Sequence, residues 1–273
     1  MCSTQCCILR PDVSAKTLIV MPAYNAAATL ERIVDSIPPG CYDEILVVDD
    51  ASRDATREVA RRLPVTLFEH PENRGYGANQ KTCYRLALER GADYVVMLHP
   101  DDQYDARMTP AALDVLAHDV CDVVLGNRIR TRREALDGGM PLVKYLANRG
   151  LTFVENVLTG QNLGEWHSGF RAYRRAVLET VPFEENDDGF AFDSQFLVQA
   201  VHFGFRIGDV PVPVRYFAEA STIGLAAATG YALRTGLVFA EWYAHRLRLR
   251  RSPRLLPRRA PAAAPAAPRE EGA

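Results

Sequence analysis

What most constrains this chain is an alternation of short apolar runs with helical segments from residue 17 to about residue 126. Thr17–Met21, Glu44–Val48, Val65–Phe68, Tyr94–Leu98 and Val123–Leu125 each read as a buried strand. Ala28–Ile37, Asp54–Leu63 and Gly77–Arg90 read as the helices between them. Pro38-Pro39-Gly40, Pro64 and Gly91 stop those helices, and Asp54 stands where it can cap the second. Uniformly apolar strands separated by helices predict an α/β fold: a mostly parallel sheet covered by helices on both faces. After residue 130 the alternation fades. Leu142–Leu158, Phe190–Phe203 and Ile223–Leu249 predict helices, and 164–175 is irregular. Phe205–Tyr216 is extended, with Pro211 and Pro213 marking an edge strand.

A composition of 48% hydrophobic and 24% charged residues excludes a disordered chain, a collagen and a disulfide scaffold. Thirty-two basic against thirty-four acidic residues leave a net charge of −2, so no nucleic-acid partner is expected. The charge is unevenly placed. Eight arginines face two glutamates from Arg246 to Ala273, and the remainder carries −8. From Arg251 onward Pro, Ala and Arg predominate, which reads as a disordered tail. The cysteines (Cys2, Cys6, Cys7, Cys41, Cys83, Cys121) match no common zinc spacing and read as reduced thiols of a cytoplasmic protein. Clustered Cys2, Cys6 and Cys7 leave a lipidation or metal site open. No run of about 18 apolar residues lacks a charge, so no spanning helix is expected. Ile223–Leu249 carries Arg234 and Glu241 and ends in Arg246, Arg248, Arg250 and Arg251. It reads either as a helix lying in a membrane interface or as a core helix.

Ligands of such sheets bind at the carboxyl ends of the strands. Polar segments stand there: Pro22–Asn25, Asp49–Asp54, His70–Gly77, His99–Asp105 and Gly126–Arg128. The adjacent carboxylates Asp49 and Asp50 repel each other unless donors of a base or ribose bind them; the alternative is a turn that caps the next helix. His99, Asp101 and Gln103 alternate along an extended segment. Their oxygen and imidazole donors suit Mg²⁺ or Mn²⁺, which would hold a diphosphate; the alternative is a solvated turn. Asn73–Gly77 opens a helix with Arg74 and two glycines, as an anion site would and as a plain turn also would. It is neither a Walker loop nor a dinucleotide fingerprint.

Taken together, Val20–Asn25, Leu46–Asp54, Asn73–Asn79, Met97–Gln103 and Leu125–Arg128 resemble the family 2 glycosyltransferases, inverting enzymes of the GT-A fold. Order and spacing agree over about residues 17–220, most closely with the dolichol-phosphate mannose synthase branch and its bacterial polyprenyl-phosphate relatives. The resemblance implies a GT-A domain, taken as 17–222 and split into a nucleotide half (17–130) and an acceptor half (131–222), and the residues before it, 1–16, read as a flexible N-terminus. An amphipathic helix at 223–250 and a disordered tail at 251–273 would follow. The resemblance assigns the nucleoside to Pro22, Ala23, Tyr24, Asn25, Asp49 and Asp50, with Arg74 and Gly77 beside the phosphates. Asp101 stands for the second carboxylate of the family's D-x-D motif, Gln103 accompanies it, and His99 replaces the first carboxylate. Asp102 would face the sugar. Asp193 is the candidate general base, with helix capping as its alternative. Gly169, Phe170 and Arg171 resemble the loop near sugar and acceptor, and Arg128, Arg171 and Arg215 would bind an acceptor phosphate.

The implied activity is transfer from a nucleotide-diphosphate sugar, GDP-mannose or UDP-glucose in type, to a polyprenyl phosphate. Mg²⁺ or Mn²⁺ would assist, and the protein would be cytoplasmic, with peripheral membrane contact through 223–251. Transfer to a saccharide or small-molecule hydroxyl is the nearest alternative, followed by a binding protein without turnover. A nucleotidyltransferase would need a Gly-rich, basic segment where Pro22-Ala23-Tyr24-Asn25 stands.

Overall fold

The computed structural model describes residues 14–129, 131–213 and 225–258. Its strands are β1 (Thr17–Ala23), β2 (Glu44–Asp49), β3 (Thr66–Glu69), β4 (Tyr94–Met97), β5 (Val123–Asn127), β6 (Arg171–Arg174) and β7 (Ile207–Pro211). They form one sheet in the order β3-β2-β1-β4-β6-β5-β7. All neighbours pair in parallel except β6, which runs antiparallel between β4 and β5. The proline-marked β7 lies at one edge, as Pro211 and Pro213 led us to expect.

Continuous apolar strands have both faces to bury, and a two-residue period sends alternate side chains to opposite sides. Ile19, Met21, Ile45, Val47 and Val96 pack on one side with α1 (Leu30–Ser36), α2 (Thr56–Ala60) and α4 (Thr109–Ala117). Leu18, Val20, Leu46, Val48, Val95 and Met97 pack on the other with α3 (Tyr76–Glu89), α7 (Arg175–Thr180) and α8 (Phe192–His202). Two further helices, α5 (Arg132–Asp137) and α6 (Leu142–Thr159), follow β5.

Three expectations need correction. The stretch 164–175, read as irregular, contains strand β6 and the start of α7. Its first residue is the fully buried Arg171, a charge where a strand pattern calls for an apolar side chain. The tail read as disordered from 251 begins with an ordered turn, Pro253–Leu255. Leu255 is buried beside Val198 and Trp242, and Arg254 Nη1 lies 3.0 Å from Glu241 Oε2. The flexible N-terminus, read as 1–16, is tied down before residue 17, because Lys16 donates its backbone N–H to Asp93 Oδ2 at 2.8 Å. Residues 1–13, 259–273 and Arg215 lie outside the described residues.

The last helix, α9 (Leu225–Arg246), docks on α8 through Val238, Phe239 and Trp242. The core-helix alternative therefore holds for this face. Trp242→Ala would remove the largest side chain of that contact and should cost about 3–5 kcal/mol, read by urea denaturation. Unchanged stability would mean that α9 is not docked.

Candidate functional site

The carboxyl ends of β1, β2 and β4 gather the loops that the strand rule singled out. The first two loops are laced together. Asn25 N–H donates to Ser52 Oγ (2.9 Å), Ala26 N–H to Thr56 Oγ1 (2.7 Å), and Asn25 Oδ1 accepts from Arg53 N–H (2.9 Å). Asn25 and Ala51 hold the left-handed backbone, with φ of 52° and 56°, a strain that this cross-bracing sustains. Pro22 and Ala23 are buried at the end of β1, and Tyr24 is exposed beside them.

Asp49 and Asp50 escape mutual repulsion by facing different donors. Asp49 Oδ2 accepts from Ser52 N–H (3.0 Å), and Asp49 Oδ1 is buried without a hydrogen-bond partner. Asp50 accepts the backbone N–H groups of Arg74 and Gly75, each at 2.9 Å, and its Oδ1 lies 2.7 Å from His70 Nδ1. Asp50 thus fastens the 73–77 loop to β2. At the N-terminus of α3, which reads either as an anion site or as a plain turn, backbone donors are taken up by protein. Gly77 N–H donates to the Asp188 carbonyl at 2.7 Å, and a Cβ on Gly77 would stand 2.3 Å from the Asp187 carbonyl oxygen. Close backbone packing by itself requires a glycine there. Arg74 itself remains exposed.

Beyond β4, Asp101 is exposed, and its Oδ1 accepts from the Gln103 N–H at 3.1 Å, which folds both residues into one turn. Asp102, expected to face the sugar, takes φ 56° and turns to α1, where Arg32 Nη2 meets it at 2.8 Å. His99 is closely packed. The Tyr76 ring stacks on it at 5.4 Å and 5°, with Tyr76 Oη 3.2 Å from His99 Nε2. Gly169 also packs on it, where an added Cβ would stand 2.6 Å from the imidazole. Burial pushes the His99 pKa down, against the pull of Asp101 and Asp193, and so favours neutral imidazole.

Asp193 lies in the first turn of α8 and is the centre of the densest polar contacts. Its Oδ2 accepts from Tyr76 Oη (2.8 Å), its Oδ1 from Gln80 Nε2 (3.1 Å), and Arg171 Nη1 stands 3.0 Å from Oδ1. That last contact is an ion pair out of hydrogen-bond alignment, for neither Arg171 Nη atom has a hydrogen-bond partner. Burial opposes the Arg171 charge, but Asp193 and the surrounding tyrosines raise its pKa and keep it cationic. Burial likewise raises the Tyr76 pKa, so its hydroxyl stays protonated and donates. Tyr76 and Gln80 were absent from the sequence reading. Their position on the first turns of α3, one turn apart, was the available signal.

The residues expected to meet an acceptor phosphate divide. Arg171 is fully buried beneath Asp193, and Phe170 is core. Both are enclosed because β6 is an interior strand. Arg128 is nearly buried, with Nε 2.5 Å from Glu165 Oε1; Glu165 was not foreseen. Gly169 reaches the site through its backbone and contact with His99.

The family model for glycosyl transferase family 2 matches residues 18–181. A UDP-N-acetylglucosamine–dolichyl-phosphate N-acetylglucosaminyltransferase of Methanococcus voltae is 26% identical over 230 residues, covering 78% of this chain and 91% of that protein. An undecaprenyl-phosphate mannosyltransferase of Micrococcus luteus is 27% identical over 252 residues, covering 86% and 99%. Among solved structures, glucosyl-3-phosphoglycerate synthase from Mycobacterium tuberculosis superposes with a TM-score of 0.66 at 21% identity, covering 86% of this chain and 83% of that one. That likeness confirms the fold.

The close packing of Gly169 on His99 is directly testable. Gly169→Ala should lose about 1–3 kcal/mol by overpacking, measured by urea denaturation. Gly150→Ala, whose Cβ would meet nothing within 4 Å in the middle of α6, should gain about 0.5–1 kcal/mol. Equal effects at both positions would contradict the contact.

Proposed function

Because the chain belongs to glycosyl transferase family 2, we propose that it moves a hexose from a nucleoside-diphosphate sugar to a polyprenyl phosphate with inversion at the anomeric carbon. The observation that carries the acceptor class is the state of Asp193. A hydroxyl acceptor needs a base to take its proton, whereas a phosphate arrives already ionised. The carboxylate best placed to be that base has both oxygens engaged, by Tyr76 and by Gln80 and Arg171. Such a site suits an acceptor that brings its own negative charge. The names of the two relatives, a dolichyl-phosphate and an undecaprenyl-phosphate transferase, support the same class.

In this reading the donor nucleoside lies against Tyr24 and the braced 22–25 and 49–53 loops, with exposed Arg74 at its phosphates. GDP-mannose and UDP-glucose are the donor types we favour. A divalent ion, Mg²⁺ or Mn²⁺, would supply charge stabilisation for the departing diphosphate. The donor set fits one. Among the described residues no three His, Cys, Asp or Glu side chains converge on a metal. A sparse site completed by diphosphate oxygens and water is how such ions commonly bind. Asp101 and Gln103 would hold the ion, with His99 behind them and its Nε2 directed to Tyr76. The acceptor phosphate would attack from the face opposite the diphosphate.

The same reading makes the protein cytoplasmic and peripheral at the membrane that holds its acceptor. No described helix is long and apolar enough to cross a membrane.

The test is transfer of label from GDP-mannose, UDP-glucose and related donors to undecaprenyl phosphate and, in parallel, to undecaprenol. Label should enter the phosphate alone, in the inverted anomer, and EDTA or Asp101→Ala should reduce it at least a hundredfold. Label in the alcohol or in a saccharide would contradict the acceptor reading. Full transfer by Asp101→Ala would contradict the metal assignment.

A further inference from the structure

An ordinary surface helix turns its apolar stripe inward and its charges to water. Helix α6 does the reverse. Its exposed face carries Leu142, Val143, Leu146, Phe153, Val154 and Val157, spaced at three and four residues. Its three charged residues, Lys144, Arg149 and Glu155, are all partly or fully buried. The buried face is the polar one. Asn148 Nδ2 donates to Glu165 Oε1 (3.2 Å), Arg149 Nη1 to the Gly164 carbonyl (2.5 Å), and Glu155 Oε2 stands 3.1 Å from His167 Nε2. Eighteen residues at about 1.5 Å each give a stripe roughly 27 Å long with no exposed charge. A contiguous apolar surface of that kind marks an interaction site.

The neighbouring surface says what covers it. Tyr243 Oη of α9 donates to the Leu158 carbonyl at 2.7 Å, so the C-terminal end of α6 adjoins α9. Along its length α9 exposes Leu233 and Leu237, and just beyond Tyr243 the chain alternates exposed Leu247 and Leu249 with exposed Arg246, Arg248, Arg250 and Arg251. Apolar side chains flanked by arginines, with no exposed acidic group on α6, complement a bilayer bearing anionic headgroups. A second copy of this chain would bring an equally basic surface instead.

We propose that α6, joined by the arginine-rich end of α9, is the surface by which this protein lies on an anionic membrane. The inference deepens the polyprenyl-phosphate reading and rests on it for its biological purpose. It moves the main contact from the 223–251 segment to α6. The polar face of α6 braces the 163–168 loop, which runs directly into Gly169 and its contact with His99. Docking through α6 therefore brings the lipid phase to the acceptor side of the site.

The experiment is flotation of the full chain with vesicles free of polyprenyl phosphate, made of phosphatidylcholine alone or with phosphatidylglycerol. Wild type should float with the anionic vesicles. Phe153→Asp/Val157→Asp should bind at least tenfold more weakly at unchanged Tm, and Arg248→Glu/Arg250→Glu should lose the preference for anionic lipid. Wild type that stays in solution, or an aspartate variant that floats like wild type, overturns the inference. So does a wild-type dimer, seen by light scattering, that the aspartate variant converts to monomer. Transfer to a short-chain, water-soluble polyprenyl phosphate separates the two readings. If the protein floats but leaves this acceptor unused, the acceptor reading fails and the docking surface stands. If it uses this acceptor but does not float, the docking surface alone fails.

Discussion

A guanidinium with no exposed surface, held opposite one carboxylate, sets the terms for the rest of this site. Arg171 begins an interior strand, and removing a charge to such a place costs several kcal/mol unless it is matched. Asp193 provides the match and is itself fixed by Gln80 and by Tyr76. Tyr76 in turn stacks on His99, and Gly169, two residues before Arg171, packs against the same ring. The chain from β6 through α8 and α3 to the end of β4 is thus one connected set of contacts.

This arrangement suits a neutral side chain at His99. A second acid beside Asp101 and near Asp193 would add negative charge to a site with one buried cation. A neutral, buried imidazole packs against Tyr76 and leaves the charge balance between Arg171 and Asp193 intact. In the proposed reading the enzyme would need few metal donors, and the Asp193 carboxylate is engaged by Tyr76, Gln80 and Arg171.

The parallel half of the sheet was legible because β1, β2 and β4 are buried on both faces, which writes them as unbroken apolar runs. The loops at their ends were legible for the same reason: polar residues stand where the apolar run stops. Strand β6 was not, since four residues framed by Arg171 and Arg174 carry no apolar run and pair antiparallel with partners distant in sequence. Helices α4, α5 and α7, of nine, six and six residues, were not predicted. In the site, Asp101, Gln103 and Asp193 were candidates by motif, and the structure gathers Asp193 with Tyr76, Gln80 and Arg171. Gly77 and Arg171 meet the Asp187–Asp188 backbone and Asp193, contacts that a glycine or an arginine in a string of letters does not disclose. Tyr76 and Glu165 were missed because their roles exist only once α3 meets α8 and the 163–168 loop meets β5. Helix α6 was predicted as a helix, but only burial reveals that it faces outward with its apolar side.

The most direct test of this account is the stability of Asp193→Asn, measured by urea denaturation beside its transfer activity. If Asp193 is the counter-ion of a buried arginine, removing its charge leaves Arg171 uncompensated. Stability should then fall by about 3–5 kcal/mol along with activity. Wild-type stability with transfer abolished would contradict the account and make Asp193 a general base without a structural role.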